Sequence, residues 1–192
     1  SAMDEASKSL GYVTSVGGAQ VSVALSGFRV QGGLGGNGAD SGFEDAEAVR
    51  IGELVKLRTS VSTIFGVVTK LGTEVEPGPT GPVERNIAEV DMMGEVLDAS
   101  VEAGRIHFER GVSIMPTLGL PLTLAASSDV AMVYAQPETA NVQVGTIHQD
   151  QITPAFVMVN DLLAKHFAIL GTTGSGKSCS VALILRKILT SH

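Results

Sequence analysis

Cysteine, aromatic residues and long apolar runs are all scarce in this chain of 192 residues. Its single cysteine, Cys179, excludes an internal disulfide framework and fits a reducing compartment, so we predict a cytoplasmic protein. Aromatic residues make up 4% of the chain and tryptophan is absent, so the core must consist of Val, Ile, Leu, Ala and Met. No apolar run reaches the ~18 residues of a membrane-spanning helix, and we expect no membrane partner. A signal peptide is also lacking, and residues 1–3 are typical of a cloning scar.

Positive charge is scarce in most of the chain. Residues 1–148 contain 9 Lys and Arg against 18 Asp and Glu, a net charge of −9, whereas residues 149–192 have a net charge of +2. Proteins that bind the phosphate backbone of DNA carry their Lys and Arg residues in a stripe, and residues 1–148 contain no such stripe. We therefore expect that residues 1–148 do not bind DNA tightly.

Short β-type runs separated by glycine-rich breaks dominate residues 10–125. Residues 12–16 and 21–25 flank Gly17-Gly18 with alternating side chains, which predicts a β-hairpin. Strands this short, with no long helix between them, favour a small antiparallel barrel or a sandwich. Two loops are expected as well, a mobile glycine-rich one at 31–42 and a Pro/Gly turn at 76–82 that is neither strand nor helix. Further strands are predicted at residues 54–58, 62–69, 88–92, 94–98 and 120–124.

After residue 125 the pattern changes to mixed α and β structure. Residues 129–135 predict a short helix, residues 142–144 a weak strand and residues 155–159 a better one. Asn160 or Asp161 can then cap one helical turn over residues 162–165.

The most specific motif is the octapeptide GTTGSGKS at residues 171–178, which fits the phosphate-binding pattern G-x-x-x-x-G-K-[ST] of a Walker A loop. The apolar residues 166–170 before it predict a buried strand. The apolar side chains after it recur at helical spacing and predict one helix face, made of Val181, Ile184, Leu185 and Ile188. A strand, a glycine-rich loop and a helix in this order form the context that the motif requires.

The residue types of the octapeptide explain its chemistry. Glycines let successive N–H groups approach phosphate oxygens, and the N-terminus of the following helix adds the positive end of its dipole. Lys177 is predicted to bridge the β- and γ-phosphates of ATP, and the Ser178 hydroxyl to bind Mg²⁺, so these two are the predicted catalytic residues. The residues predicted to contact the nucleotide are Thr173, Gly174, Ser175, Gly176, Lys177, Ser178 and Cys179.

Other candidate sites are weaker. Residues 33–38 satisfy G-x-G-x-x-G, but no helix opens after them, so a hairpin tip is the better interpretation. The four histidines show no metal-ligand spacing, and no metal cage is predicted. His107 is expected to point to solvent and His166 to begin a strand. Asp91 and Glu95 are interpreted as solvated surface carboxylates, and Met92-Met93 as core.

The chain resembles the HerA-type ATPases, the hexameric DNA translocases of the HerA–FtsK group, over four segments. The most specific is LLAKHFAILGTTGSGKS at residues 162–178, since many P-loop proteins share the octapeptide but few share its lead-in. The other segments are residues 11–14 with the following strand, residues 49–55 leading to 65–68, and residues 108–113 with Pro116, Gly119 and Pro121.

The resemblance implies a mainly β chain, in which a small closed antiparallel barrel precedes the first strand, P-loop and helix of a truncated α/β RecA-like domain. It implies an assembly barrel over residues 4–148 and the incomplete ATPase domain over residues 149–192. In that family the barrel, related to that of the rotary ATP synthase subunits, caps one face of a homohexameric ring. ATP binds between subunits, and its hydrolysis drives double-stranded DNA through the pore, often beside a nuclease partner or in defence against phage.

Two parts of the family's machinery have no counterpart in the sequence. These are the acidic pair on a later strand, which holds Mg²⁺ and activates water, and the arginine that reaches into the neighbouring site. The expectation is therefore a truncated chain with weak nucleotide affinity and no hydrolysis. Two alternatives stay open: an assembly module whose acidic barrel docks a partner, with nucleotide as a structural element, and an ATPase that moves protein through a similar ring.

Overall fold

The computed structural model describes residues 9–26, 49–78 and 81–190. The chain divides into two compact units, Ser1–Ala125 and Ala126–His192. The predicted mobile loop at 31–42, the predicted hairpin tip at 33–38 and His192 lie outside the described residues.

The first unit is mainly β and contains a large antiparallel sheet. Its strands are β1 (Gly11–Gly17), β2 (Gln20–Leu25), β3 (Leu54–Arg58), β4 (Ser62–Gly78), β5 (Gly81–Leu97), β6 (Glu109–Arg110) and β7 (Pro121–Leu124), and its one described helix is α1 (Asp98–Glu102). The sheet has seven strands in the order β2-β1-β7-β3-β4-β5-β6, and β2 pairs with β5 as well. The pairings therefore form a closed circuit, which runs from β2 through β1, β7, β3, β4 and β5 and returns to β2.

The β1–β2 hairpin confirms the prediction made from its alternating residues. Gly17 pairs with Gln20, and the turn between them places Gly18 at φ 59°, a left-handed conformation that glycine adopts without steric cost. Val13, Val21 and Val23 point into the core, while the alternate positions are more exposed. Period-2 alternation thus buries one face of each strand.

The core of this unit is aliphatic, as the composition predicts. Its fully buried large side chains come mostly from Leu, Ile and Val of β2, β3, β4, β5 and β7. Phe65 is the fully buried aromatic residue among the described residues of this unit, and its ring meets the Phe108 ring edge to face, with centroids 6.1 Å apart. Aliphatic side chains therefore supply most of the apolar area that this sheet removes from water.

Residues 76–78 and 81–82, expected to be neither strand nor helix, belong to a long β-ribbon, so the prediction that this segment contains no strand is wrong. Pairing of β4 with β5 continues to Pro77 opposite Pro82 and to Gly78 opposite Gly81. Proline lacks the N–H that a neighbouring strand would need, and the end of this ribbon can contain it because no third strand among the described residues pairs with its outer edges. The strands predicted at 88–92 and 94–98 are one continuous strand, β5, and Asp98 begins α1 instead.

The second unit combines a two-stranded antiparallel sheet with three helices in its described part. The strands are β8 (Asn141–Thr146) and β9 (Pro154–Met158), and the helices are α2 (Ser127–Val133), α3 (Val159–Ala164) and α4 (Lys177–Thr190). The predicted strand at 155–159 corresponds to β9, and the helical turn after it begins at Val159, earlier than expected. None of the described helices is long and apolar enough to cross a membrane.

The apolar run at residues 166–170 does not form the predicted buried strand. It has no strand pairing with any other described residue, and Leu170 is 89% exposed. A strand is defined by its ladder hydrogen bonds, so an apolar run becomes one only where a neighbouring strand accepts it. His166 is likewise exposed and does not begin a strand.

Candidate nucleotide-binding site

The octapeptide forms a loop that leads directly into α4. Gly174 and Gly176 have φ values of 83° and 86°, in the region that side chains with a Cβ rarely adopt. The Ser175 amide donates to the Thr172 carbonyl at 3.2 Å, and the Ser180 amide donates to the Gly176 carbonyl at 2.9 Å as a first helical bond. The loop therefore turns tightly, and the first amides of α4 after it are free of intrahelical partners by helix geometry.

Lys177 folds back over this loop. Its ammonium donates a hydrogen bond to the Thr172 carbonyl at 2.5 Å, and its side chain is half-buried. A Cβ at Gly171 would lie 2.5 Å from the Ser175 hydroxyl oxygen, so Gly171 is a position of close approach within the loop. Gly171 and Thr172 are not among the predicted contact residues. Both belong to the octapeptide, however, and both take part in these contacts within the loop.

The predicted contact residues lie together at the end of the loop and in the first turn of α4. All of them are exposed except Lys177, including the hydroxyl-bearing Ser178 and the thiol-bearing Cys179. A Cβ built at Gly174 or Gly176 would meet no atom within 4 Å, so open space borders the loop at both glycines. Exposed N–H groups beside open space form a suitable cradle for an anion at a helix N-terminus.

The apolar face of α4 is narrower than predicted. Ile188 is buried and Val181 and Ile184 are half-buried, at positions three and four residues apart, and α4 contacts β8 within the second unit. Leu185, predicted to share this face, is exposed together with Leu189. It follows Ile184 by one residue, and a rotation of about 100° per residue moves it away from β8.

The other candidates do not form a second site in the described residues. His107, His148 and His166 are exposed, and in the described ranges no three or more His, Cys, Asp or Glu side chains come together so that they could hold a metal ion. Asp91 lies on the surface as expected, where its carboxylate accepts a hydrogen bond from Gln20 at 2.8 Å. Met92 packs against the core.

Glu95 corrects the interpretation of a solvated carboxylate. Its side chain is buried, at 3% exposure, and one carboxylate oxygen accepts hydrogen bonds from both the amide and the hydroxyl of Ser113. Burial by itself raises the pKa of Glu95, but the hydrogen bonds from Ser113, with a smaller contribution from the Ser62 hydroxyl, outweigh it and hold the pKa below the ordinary value. The two hydrogen bonds from Ser113 thus offset most of the free-energy cost of burying the Glu95 charge.

Comparison with known proteins gives two matches. Residues 142–192, which include all of β8 but its first residue, β9, and the loop with α4, match the family DUF87, described as the central domain of helicase HerA. The chain is also 27% identical over 110 residues to the DNA double-strand break repair helicase HerA of Pyrococcus furiosus. That match covers 57% of this chain and 18% of the relative, so the chain spans about a fifth of the length of the curated relative. Together with the loop geometry, the two matches confirm the predicted resemblance of this chain to the HerA-type P-loop ATPases.

Proposed function

We propose that the chain is the assembly region and phosphate-binding start of a HerA-type motor that hydrolyses ATP and moves along double-stranded DNA. The observation that carries the proposal is the loop at residues 171–178. Its two left-handed glycines lead straight into α4 within the segment that matches the HerA central domain. The Pyrococcus relative is a repair helicase by name, and a role in DNA processing or defence is the corresponding proposal for this protein.

The residues of the loop fit a bound Mg²⁺–ATP. The cradle beside Gly174 and Gly176 is open, and the exposed amides of the first helical turn can donate to phosphate oxygens. Bound ATP with its Mg²⁺ supplies a phosphoanhydride bond whose cleavage releases free energy.

The side chains of this chain have distinct tasks in that chemistry. Lys177 holds its ammonium at the Thr172 carbonyl and must exchange that contact for phosphate oxygens, so that its charge neutralises theirs. The Ser178 hydroxyl is placed in the first turn of α4, where a P-loop serine binds the cation. Thr173, Ser175 and Cys179 are proposed to bind the phosphates through their backbone amides. A nest of backbone amides binds an anion without any particular side chain.

Residues 1–192 alone are proposed to bind nucleotide weakly and not to hydrolyse it. Residues 166–170 are exposed except for the half-buried Ile169, and they have no strand pairing among the described residues, so the loop is preorganised only on its α4 side. Phosphoryl transfer depends on positioned charges around the phosphate, and the acidic pair and arginine finger of the family are not found in this sequence.

The circuit of strand pairings supports an assembly role for the first unit. We propose that these strands form the closed barrel of the family, within an assembly domain over residues 4–148, and that the protein works as a cytoplasmic homohexameric ring. The excess of acidic residues in this region favours contact with protein over contact with DNA. The acidic charge also supports a second candidate function. In it, the chain belongs to a P-loop ATPase that moves protein, and its barrel binds a partner protein such as a nuclease.

An ATPase and DNA-binding assay on the full-length gene product separates the two candidates. A DNA motor should hydrolyse ATP faster when double-stranded DNA is added, and its affinity for DNA should fall as salt rises. The Lys177→Ala variant should lose hydrolysis, whereas Lys187→Ala, on an exposed position of the same helix, should keep it. A hydrolysis rate that DNA does not change, with no salt-sensitive affinity for DNA, would eliminate the translocase proposal.

A further inference from the structure

Gly171, the first residue of the octapeptide, differs in its backbone from the other two glycines of the loop. Gly174 and Gly176 have positive φ values, which favour glycine, whereas the φ of Gly171 is not positive. The backbone conformation at position 171 is therefore compatible with a side chain. A requirement for glycine at this position has to come from the space around it.

Two side chains of the loop fill the space beside Gly171. A Cβ built there would lie 2.5 Å from the Ser175 hydroxyl oxygen, and 3.4 Å from both the Ser175 Cβ and the Lys177 Cγ. The first distance is a steric overlap, whereas the other two are close to ordinary van der Waals contact between carbon atoms. Among these three neighbouring atoms, the Ser175 hydroxyl oxygen is therefore the one that an alanine side chain at position 171 would overlap.

Ser175 and Lys177 share the same two neighbours in the loop. The Thr172 carbonyl accepts hydrogen bonds from the Ser175 amide at 3.2 Å and from the Lys177 ammonium at 2.5 Å. Gly171 lies next to the side chains of both residues. A displacement of Ser175 at either neighbour therefore also changes the surroundings of Lys177, whose ammonium has the central task in the proposed nucleotide site.

The Ser175 hydroxyl acts on this arrangement through its size. Ser175 is exposed, and its hydroxyl makes no hydrogen bond within the part of the chain that the structure describes. Replacing the hydroxyl by hydrogen, as in Ser175→Ala, therefore removes the atom beside Gly171 without breaking a hydrogen bond. The Ser175 amide, which donates to the Thr172 carbonyl, stays in place in that variant.

We propose that Gly171 and Ser175 act as one steric pair that positions Lys177, and that glycine is required at position 171 only while residue 175 carries an atom beyond Cβ. Gly171→Ala displaces the Ser175 hydroxyl or the loop backbone, and Lys177 moves with them. Gly171→Ala combined with Ser175→Ala restores the fit, because the overlapping oxygen is then gone. This inference rests on the proposed nucleotide-binding function and identifies what holds its lysine in position.

A double-mutant cycle in nucleotide binding tests the pair. The wild-type chain, both single variants and the double variant are titrated with Mg²⁺–ATP, and the Kd is taken from the shifts of the backbone amides. Gly171→Ala should weaken binding about tenfold, because the overlap displaces Lys177. Ser175→Ala and the double variant should stay within about twofold of wild type. Gly145→Ala is the matched control, since a Cβ at this exposed glycine of β8 meets no atom within 4 Å.

The nucleotide-free chain gives a second readout that does not depend on ATP. Nuclear Overhauser contacts should link the protons on Cα of Gly171 with those on Cβ of Ser175 and on Cγ of Lys177. Gly171→Ala should lose the contact between residues 171 and 177, and the double variant should regain it.

Three results would overturn the steric pair. They are an unchanged affinity in Gly171→Ala, a double variant that binds as weakly as Gly171→Ala alone, and the absence of both Overhauser contacts in the wild-type chain. If the wild-type chain shows these contacts and their rescue but binds no Mg²⁺–ATP, the proposed nucleotide-binding function fails and the steric pair stands. If it binds Mg²⁺–ATP without the rescue, the steric pair is wrong and the nucleotide site stands.

Discussion

The Glu95 carboxylate accepts two hydrogen bonds from Ser113, one from the backbone amide at 2.7 Å and one from the hydroxyl. Ser113 lies 18 residues after Glu95 in the chain, so the contact ties the connection before β7, residues 112–119, to the C-terminal end of β5. Gly94, beside Glu95, lets the Glu109 carbonyl and the Phe108 ring pack closely against β5, because it has no side chain.

Removing the Ser113 hydroxyl should destabilise the first unit. Ser113→Ala deletes one donor to a buried charge, and we expect a loss of roughly 1.5 kcal/mol in the free energy of unfolding, the low end for such bonds because Ser113 itself is exposed. Urea unfolding of the variant measures this. Thr117→Ala, at an exposed position of the same loop, is the matched control and should change stability by less than about 0.5 kcal/mol.

Acid should remove the contribution of Glu95. A carboxyl group whose pKa is lowered on folding stabilises the protein above its unfolded pKa, about 4.3, and loses that contribution as the pH falls through the folded value. The difference in unfolding free energy between wild type and Glu95→Gln should therefore be larger at neutral pH than at acidic pH. A difference that stays constant, or grows on acidification, would show that the pKa is not lowered.

A side chain at Gly94 should displace the segment around Phe108. A Cβ there would lie 2.1 Å from the Glu109 carbonyl oxygen and 2.6 Å from the Phe108 ring, so Gly94→Ala should cost about 2 kcal/mol or more. Gly72→Ala is the control, because a Cβ at Gly72 meets no atom within 4 Å. Equal thermal stability of the two variants would contradict the close approach.

The packing of α4 can be tested on adjacent positions. Ile188 is 8% exposed and Leu189 is 78% exposed, so Ile188→Ala should destabilise the second unit by about 2 kcal/mol. Leu189→Ala should stay within about 0.5 kcal/mol of wild type. Amide hydrogen exchange of α4 measures both. Faster exchange in Leu189→Ala than in Ile188→Ala would mean that the helix presents another face to β8.

Local patterns in the sequence were sufficient to predict the β1–β2 hairpin and the glycine loop before α4. Alternation around Gly17-Gly18 fixes β1 and β2, because side-chain period and turn chemistry are both local properties. The octapeptide likewise predicts the loop before α4, since only glycine adopts its left-handed positions readily.

Features that depend on distant partners could not be predicted in this way. The run at 166–170 has the composition of a buried strand, yet strand formation depends on neighbours that a local pattern does not contain. Glu95 resembles a surface residue until Ser113 folds onto it. The proline-rich ribbon end was misjudged because proline is excluded only where a third strand needs its missing N–H.

The central claim is that the amides around Lys177 hold a triphosphate, and a nuclear magnetic resonance titration with Mg²⁺–ATP tests it most directly. Because weak binding is expected, the chemical shifts of the backbone amides are the suitable readout. The account predicts that the amides of residues 173–179 shift as nucleotide is added, that Lys177→Ala abolishes these shifts, and that Lys187→Ala preserves them. Shifts confined to other parts of the chain, or loop shifts that persist unchanged in Lys177→Ala, would contradict it.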